Sequence, residues 1–237
     1  MLSTLQGVLA LAGAVSAPGA PLLVSRSAES RFGVLSFPLA DLRQAARRGE
    51  GTVNDVYLAG VVGGLREYHA KHGSFPPSLR LGVPVNTRPG GAEMDLRNQF
   101  APILVRVPLQ FQDPVERIRL LHELVMVARQ QPVLGLLEQA MGYLRQIPGS
   151  PRLVTALLGA TDVMASNVPG SPVDLYLGGA RVQEIVPFGP RGASALNLTL
   201  LSHVDNVSIG VNMDPQAFPD TGVLLDCLRA GFDELLA

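Results

Sequence analysis

Two short stretches hold polar side chains whose types and spacing suit a built site: Thr52-Val53-Asn54-Asp55 and Ser166-Asn167-Val168-Pro169-Gly170. In the first, Thr is followed three residues later by Asp, directly before an apolar run. That is the form of a capping box, in which hydroxyl and carboxylate satisfy the free N–H groups of a helix start. Asp55 would also sit in the first turn, at the positive end of the helix dipole. Such a start needs no ligand, yet it is a rigid mount for Asn54 and Asp55 as hydrogen-bonding groups. In the second stretch an apolar run turns at Asn-Val-Pro-Gly. Pro at the second and Gly at the third turn position predict a strand that ends in a type II turn. Ser166 and Asn167 would then present polar groups at the strand's end.

The four histidines assemble nothing by spacing, and no His/Asp/Glu set has metal-ligand spacing. His69 and His72 fall in the last turn of a predicted helix, where imidazoles bond free carbonyls and favour the negative helix end. His122 lies inside a predicted helix, and His203 just before a hairpin turn. An enzyme working with its own residues alone would have to use His122 or His203 as its base. No Gly-x-Ser-x-Gly elbow occurs, and Ser150 and Ser171 read as loop residues.

The elements that must position these groups alternate between strand and helix. Residues 32–37 read as a strand and 39–48 as a helix ended by Gly49. Thr52 opens the clearest helix, with Val53, Val56, Tyr57, Gly60, Val61, Gly64, Leu65 and Tyr68 on one face. Gly60 and Gly64 on that face admit a close-packed backbone; Gly73 and Pro76-Pro77 end the helix. Strands are predicted at 79–85 and 99–109, around a loop over 88–94, with Pro102 marking an edge or a bulge. Asp113-Pro114-Val115-Glu116 starts a helix that runs to about Gln130. Further helices are expected over 133–146 and 151–159, a strand over 162–168 and one or two strands within 173–188. A hairpin over 195–202 and 207–213 and a final helix from Pro219-Asp220 complete the pattern. The fold class is α/β, a mixed β-sheet flanked by helices.

Composition narrows the function classes. Of 237 residues, 16% are charged and the net charge is -1. Lys71 is the only lysine, there is no tryptophan, and no basic stripe offers itself to nucleic acid. The low charge fits either an apolar face meant for a partner domain or lipid, or a well-filled core rich in Gly and Ala. Cys227 is the only cysteine, so no intrachain disulfide forms; it reads as a core residue and fits a reducing, cytoplasmic setting. Leu5 to Ala17 is apolar and ends in Val15-Ser16-Ala17, which has the look of a signal-peptidase site. No basic residue precedes it, and it is well short of the roughly 18 apolar residues of a membrane span. Residues 1–31 are therefore read as a short helix, ended by Pro18-Gly19, and a linker remnant, and 32–237 as the domain.

Six ordered blocks carry a family resemblance. They are 51–60 with Gly64-Leu65-Arg66-Glu67-Tyr68, Val83 to Arg88, Asn98-Gln99-Phe100, Asp113-Pro114 with Arg117, Ser166 to Gly170, and Leu175-Tyr176-Leu177 with Gly179-Ala180. From about residue 32 onward, the chain resembles the C-terminal half of the bacterial wax ester synthase/diacylglycerol acyltransferase (WS/DGAT) family. The resemblance implies one half of a chloramphenicol acetyltransferase-like, CoA-dependent acyltransferase fold of two pseudo-domains, akin to nonribosomal condensation domains. In that family a paired-histidine motif ending in Asp-Gly lies in the N-terminal half, and its second histidine deprotonates the acceptor alcohol. No such motif occurs in this sequence.

The implied site residues are Asn54, Asp55, Arg88, Asn98, Ser166, Asn167, Val168, Pro169 and Gly170, as the other wall of a tunnel for acyl-CoA and alcohol. No catalytic residue, metal or cofactor is implied in this chain; acyl-CoA would be a substrate. The implied partners are the N-terminal half, or a second copy of the chain, with acyl-CoA and a lipid alcohol. Contact with membrane or lipid droplet would be peripheral at most, and the product triacylglycerol or wax ester. The alternative is a non-catalytic acyl-CoA- or lipid-binding module that associates with itself. Arg97 stands where the family usually has Gly, Ser171 where Pro is usual, and His203 where Tyr is commoner.

Overall fold

The computed structural model describes residues 19–86, 100–130 and 161–237. After a 3-10 turn at Pro21–Leu23, strand β1 (Arg31–Pro38) passes directly into helix α1 (Leu39–Arg48). Helix α2 (Val53–Lys71) begins with the complete capping box: the Thr52 hydroxyl accepts from the Asp55 N–H, and the Asp55 carboxylate accepts from the Thr52 N–H. Strands β2 (Ser78–Asn86) and β3 (Phe100–Pro108) precede helix α3 (Pro114–Arg129). Asp113 caps α3 by accepting from the Glu116 N–H at 2.8 Å, with Pro114 in the first turn, where no N–H is needed. Strand β4 (Val163–Val168), the two-residue strands β5 (Tyr176–Leu177) and β6 (Ala180–Arg181), the hairpin β7 (Leu196–His203) and β8 (Asn206–Met213), and helix α4 (Thr221–Leu236) follow.

Six strands form one mixed sheet in the order β1-β8-β7-β4-β2-β3. β4 runs parallel to β2 and to β7, and every other pair is antiparallel. β3 is an edge strand, which explains why Pro102 is tolerated there. The β4–β7 ladder continues to Val168 and Leu201, but β4 pairs with β2 only at Leu81 and Gly82. Pro84 lies just beyond, and a residue without an N–H cannot extend that ladder. The sheet therefore parts between the ends of β2 and β4.

Alternation sends Leu79, Leu81, Val163, Ala165, Leu196, Leu198, Leu200, Ile209 and Val211 into the core, where the helices cover them. Gly60 packs on the Phe232 ring, Gly64 on the Leu228 and Cys227 backbone, and Gly231 on the Gly60 and Gly64 backbone, so α2 and α4 are in close contact. Arg117 is buried, and its guanidinium donates to the Ala59 carbonyl at 3.0 Å and to Glu234 at 2.9 Å. That side chain joins α3 to α2 and α4.

The opposite face of β7 and β8 is largely polar, and β1 adds Ser36 to it beside Phe32 and Val34. Residues 182–193 cover it by hydrogen bonds: Ser36 and Ser208 donate to Glu184, Asn212 to the Gly189 carbonyl, and Asn197 to the Pro190 carbonyl. Within 173–188, where strands are expected, only β5 and β6 form a ladder. The rest runs without regular structure, because its hydrogen bonds go to side chains of the sheet. The expected helices over 5–17, 133–146 and 151–159 and the loop over 88–94 lie outside the described residues.

Candidate functional site

An open cavity of about 530 Å³ lies where the sheet parts, at the C-terminal ends of the parallel strands β2, β4 and β7. Val83 and Pro84 contribute from β2, Asn167 and Pro169 from β4 and its turn, and Leu200 and Ser202 from β7. The start of α2 adds Thr52 to Asp55, α1 adds Leu39 and Arg43, and α3 adds His122, Val125, Met126 and Arg129. In open α/β sheets, the carboxyl ends of parallel strands are where ligands bind.

The two motifs meet here. Asn167 Nδ2 donates to Asn54 Oδ1 at 3.3 Å. Asp55 is buried, and its Oδ2 accepts from the Thr52 N–H, from Thr52 Oγ1 and from His122 Nδ1, each at 2.8 Å. A carboxylate only accepts, so the Nδ1 of His122 carries the proton and its Nε2 has the lone pair when the ring is neutral. The His122 side chain is 37% exposed against 4% for Asp55. Its Nε2 meets no partner among the described residues. Arg43 and Arg129 on the same wall likewise have no ionic partner among the described residues.

The other expected site residues divide. Strand alternation sends Ser166 and Val168 to the face opposite Asn167, and neither lines the cavity. Arg88 and Asn98 lie outside the described residues. Gly170 is not among the glycines with positive φ, so the expected type II turn, which needs φ > 0 at its third position, does not form. Glycine serves another purpose there: a Cβ would collide with the Ser202 carbonyl oxygen on β7. The next residue, Ser171, accepts from the Val204 N–H at 3.0 Å, so the motif is pinned to the β7–β8 hairpin.

Of the two histidines considered as a base, His122 lines the cavity. His203 sits on the other face of the sheet, its Nε2 3.3 Å from the Val182 carbonyl. His72 bonds the Tyr68 carbonyl through Nδ1 and Asp220 through Nε2, both at 2.8 Å, as a last-turn imidazole is expected to. Both contacts need a proton, and the Tyr68 carbonyl and then Asp220 raise its pKa. His69 departs from the expectation. Its ring is buried with neither nitrogen bonded, and burial lowers its pKa to about 4.

Pairing of His122 with Asp55 joins residues on different helices, and no local motif announces it. The available signal is periodicity: His122, Val125, Met126 and Arg129 fall on one face of α3.

A model of the WS/DGAT C-terminal domain matches residues 96–236. A putative diacylglycerol O-acyltransferase of Mycobacterium tuberculosis is 34% identical over 245 aligned positions, which take in 100% of this chain and 49% of that protein. The chain spans about half the length of the curated relatives it matches. Among solved structures, the wax ester synthase/diacylglycerol acyltransferase from Marinobacter aquaeolei VT8 superposes with a TM-score of 0.67 at 25% identity, over 98% of this chain and 55% of that one. The first condensation domain of the CDA synthetase shares the fold, with a TM-score of 0.59 at 15% identity, over 100% of this chain and 51% of that one. The mixed sheet and its helices are thus half of a chloramphenicol acetyltransferase-like fold, and the chain belongs to the wax ester synthase/diacylglycerol acyltransferase family, of which it carries the C-terminal domain.

Proposed function

We propose that this chain supplies one wall of an acyl-CoA-dependent O-acyltransferase that makes triacylglycerol or wax esters, and that it acts with an N-terminal half bearing the paired-histidine motif. The observation that carries this is the cavity itself, where the Asn54-Asp55 and Ser166-to-Gly170 motifs meet through Asn167 and Asn54. Leu39, Val125, Met126 and Leu200 give it apolar walls suited to an acyl chain. Arg43 and Arg129 suit the phosphates of a CoA thioester, since guanidinium groups bind phosphate oxygens well. The alcohol proton passes to the imidazole of the other half as the alcohol oxygen attacks the thioester carbon, and the thiolate of CoA leaves. This chain's part is to hold both substrates in line.

No helix among the described residues is long and apolar enough to cross a membrane. In this reading the lipid alcohol reaches the enzyme by peripheral contact with a membrane or lipid droplet.

The test is reconstitution. The purified chain is mixed with the separately produced N-terminal half of the Mycobacterium tuberculosis relative, and transfer from radiolabelled palmitoyl-CoA to dioleoylglycerol and to hexadecanol is followed. Ester should form in the mixture and not with either half alone. Transfer by this chain alone would overturn the proposal, as would a stable complex of the halves that forms no ester.

A further inference from the structure

We infer that His122 binds the acyl donor: its Nε2 accepts a hydrogen bond from an amide N–H in the pantetheine arm of acyl-CoA. This rests on the acyltransferase reading above. Asp55 Oδ2 lies 2.8 Å from Nδ1 and only accepts, so Nδ1 carries the proton and the lone pair of the neutral ring is on Nε2. Asp55 is buried and is itself held by the Thr52 N–H and hydroxyl, so the ring is oriented by a capped helix start. Nε2 has no partner among the described residues, on a ring that lines the cavity.

A lone pair fixed in this way suits a ligand group that donates one hydrogen bond and keeps its proton through the reaction. The acceptor alcohol gives its one hydroxyl proton to the imidazole of the other half. The amide protons of the pantetheine arm stay in place throughout. Spacing along α3 fits that arm. His122 and Arg129 fall on one face, two turns or about 10.5 Å apart along the axis. With a phosphate of CoA at Arg129, the two amide nitrogens of an extended arm stand roughly 7–12 Å from it. Val125 and Met126 lie between the two residues on the same face, apolar like the dimethyl carbon and methylenes of the arm. The neighbouring carboxamides are a poorer acceptor, because Asn54 Oδ1 already accepts from Asn167.

The test uses the intact chain labelled with 15N, at about pH 8, where imidazoles are ordinarily neutral. Long-range 1H–15N spectra follow its histidine rings, with His122 assigned by its loss in H122F. Two probes are titrated: phosphopantetheine, and its analogue with both amide N–H groups replaced by ester oxygens. The first should move the Nε2 resonance and the second should not. H122F should bind phosphopantetheine roughly three- to tenfold more weakly, the worth of one hydrogen bond to a neutral acceptor, without weakening the ester analogue. H122Q should restore the affinity, since a Gln amide donates to Asp55 while its oxygen accepts from the arm. If phosphopantetheine moves the Asn54 and Asn167 side-chain amides but not Nε2, or if the ester analogue moves Nε2 equally, the role of His122 falls and the acyl-CoA site stands. If neither probe disturbs any group lining the cavity, both the role and the acyl-CoA site fall.

Discussion

A Cβ on Gly170 would meet the Ser202 carbonyl oxygen and the Leu201 side chain, so the turn after β4 packs directly on the end of β7. Gly170→Ala must push them apart. We expect a loss of about 1–3 kcal/mol, as for other overpacked sites, measured by urea unfolding. The side-chain amide resonances of Asn167 should shift as its bond to Asn54 lengthens. The sequence marks this glycine as special, but points to a turn conformation when the cause is a close approach. That cause lies on a strand distant in sequence, which no local rule reaches. The His122–Asp55 pair was illegible for the same reason, whereas Thr52 and Asp55, three residues apart, were read correctly as a capping box. Next to this contact, Val204 holds a φ of 52°, a conformation that is costly for a β-branched residue. The Ser171 carbonyl that accepts from its N–H helps to keep it there.

At the scale of elements, the last turn of α2 carries two imidazoles with opposite pH behaviour. His69 is buried and unbonded, with a folded pKa of about 4 against an ordinary 6.5. As pH falls below 6.5 the unfolded chain takes up a proton that the folded ring refuses, so stability declines toward pH 4. His72, bridged to the Tyr68 carbonyl and Asp220, has a raised pKa. Its contribution is complete below its ordinary value and is lost as pH rises through the folded one. Urea midpoints between pH 4.5 and 8 should show H69L with a flatter acid side than the parent, and H72Q with a flatter neutral side. A parallel acid decline in H69L would exclude His69 as its source. The helices themselves were legible because their caps are local: Asp113-Pro114 starts α3 and Gly73 follows α2. Residues 182–193 were not, because their partners are polar side chains on three strands rather than neighbours in sequence.

Across the described residues, one face of the sheet is joined to its helices by apolar packing and by a buried cation. Arg117 reaches the Ala59 carbonyl on α2 and Glu234 on α4, and Gly63 leaves room for its guanidinium. Arg117→Ala leaves Glu234 without its ion-pair partner and frees three helices from a common tie. We expect a loss of about 3 kcal/mol in urea unfolding, the order seen when a large buried side chain is cut back to Ala. The alternating order of strands and helices was enough to place the chain in the α/β class, but not to show where the sheet parts, which depends on where the β2–β4 ladder stops. The strand order has a further consequence. Among the described residues, β1 finds its partner only in β8, with Arg31 opposite Met213, and α2 finds its close-packed neighbour in α4. During synthesis the early strand and the glycine-lined helix therefore wait, unpaired and apolar, until the last two elements have left the ribosome. Contacts so far apart in sequence make for slow folding, and the nascent chain is a natural client for a chaperone that shields apolar segments.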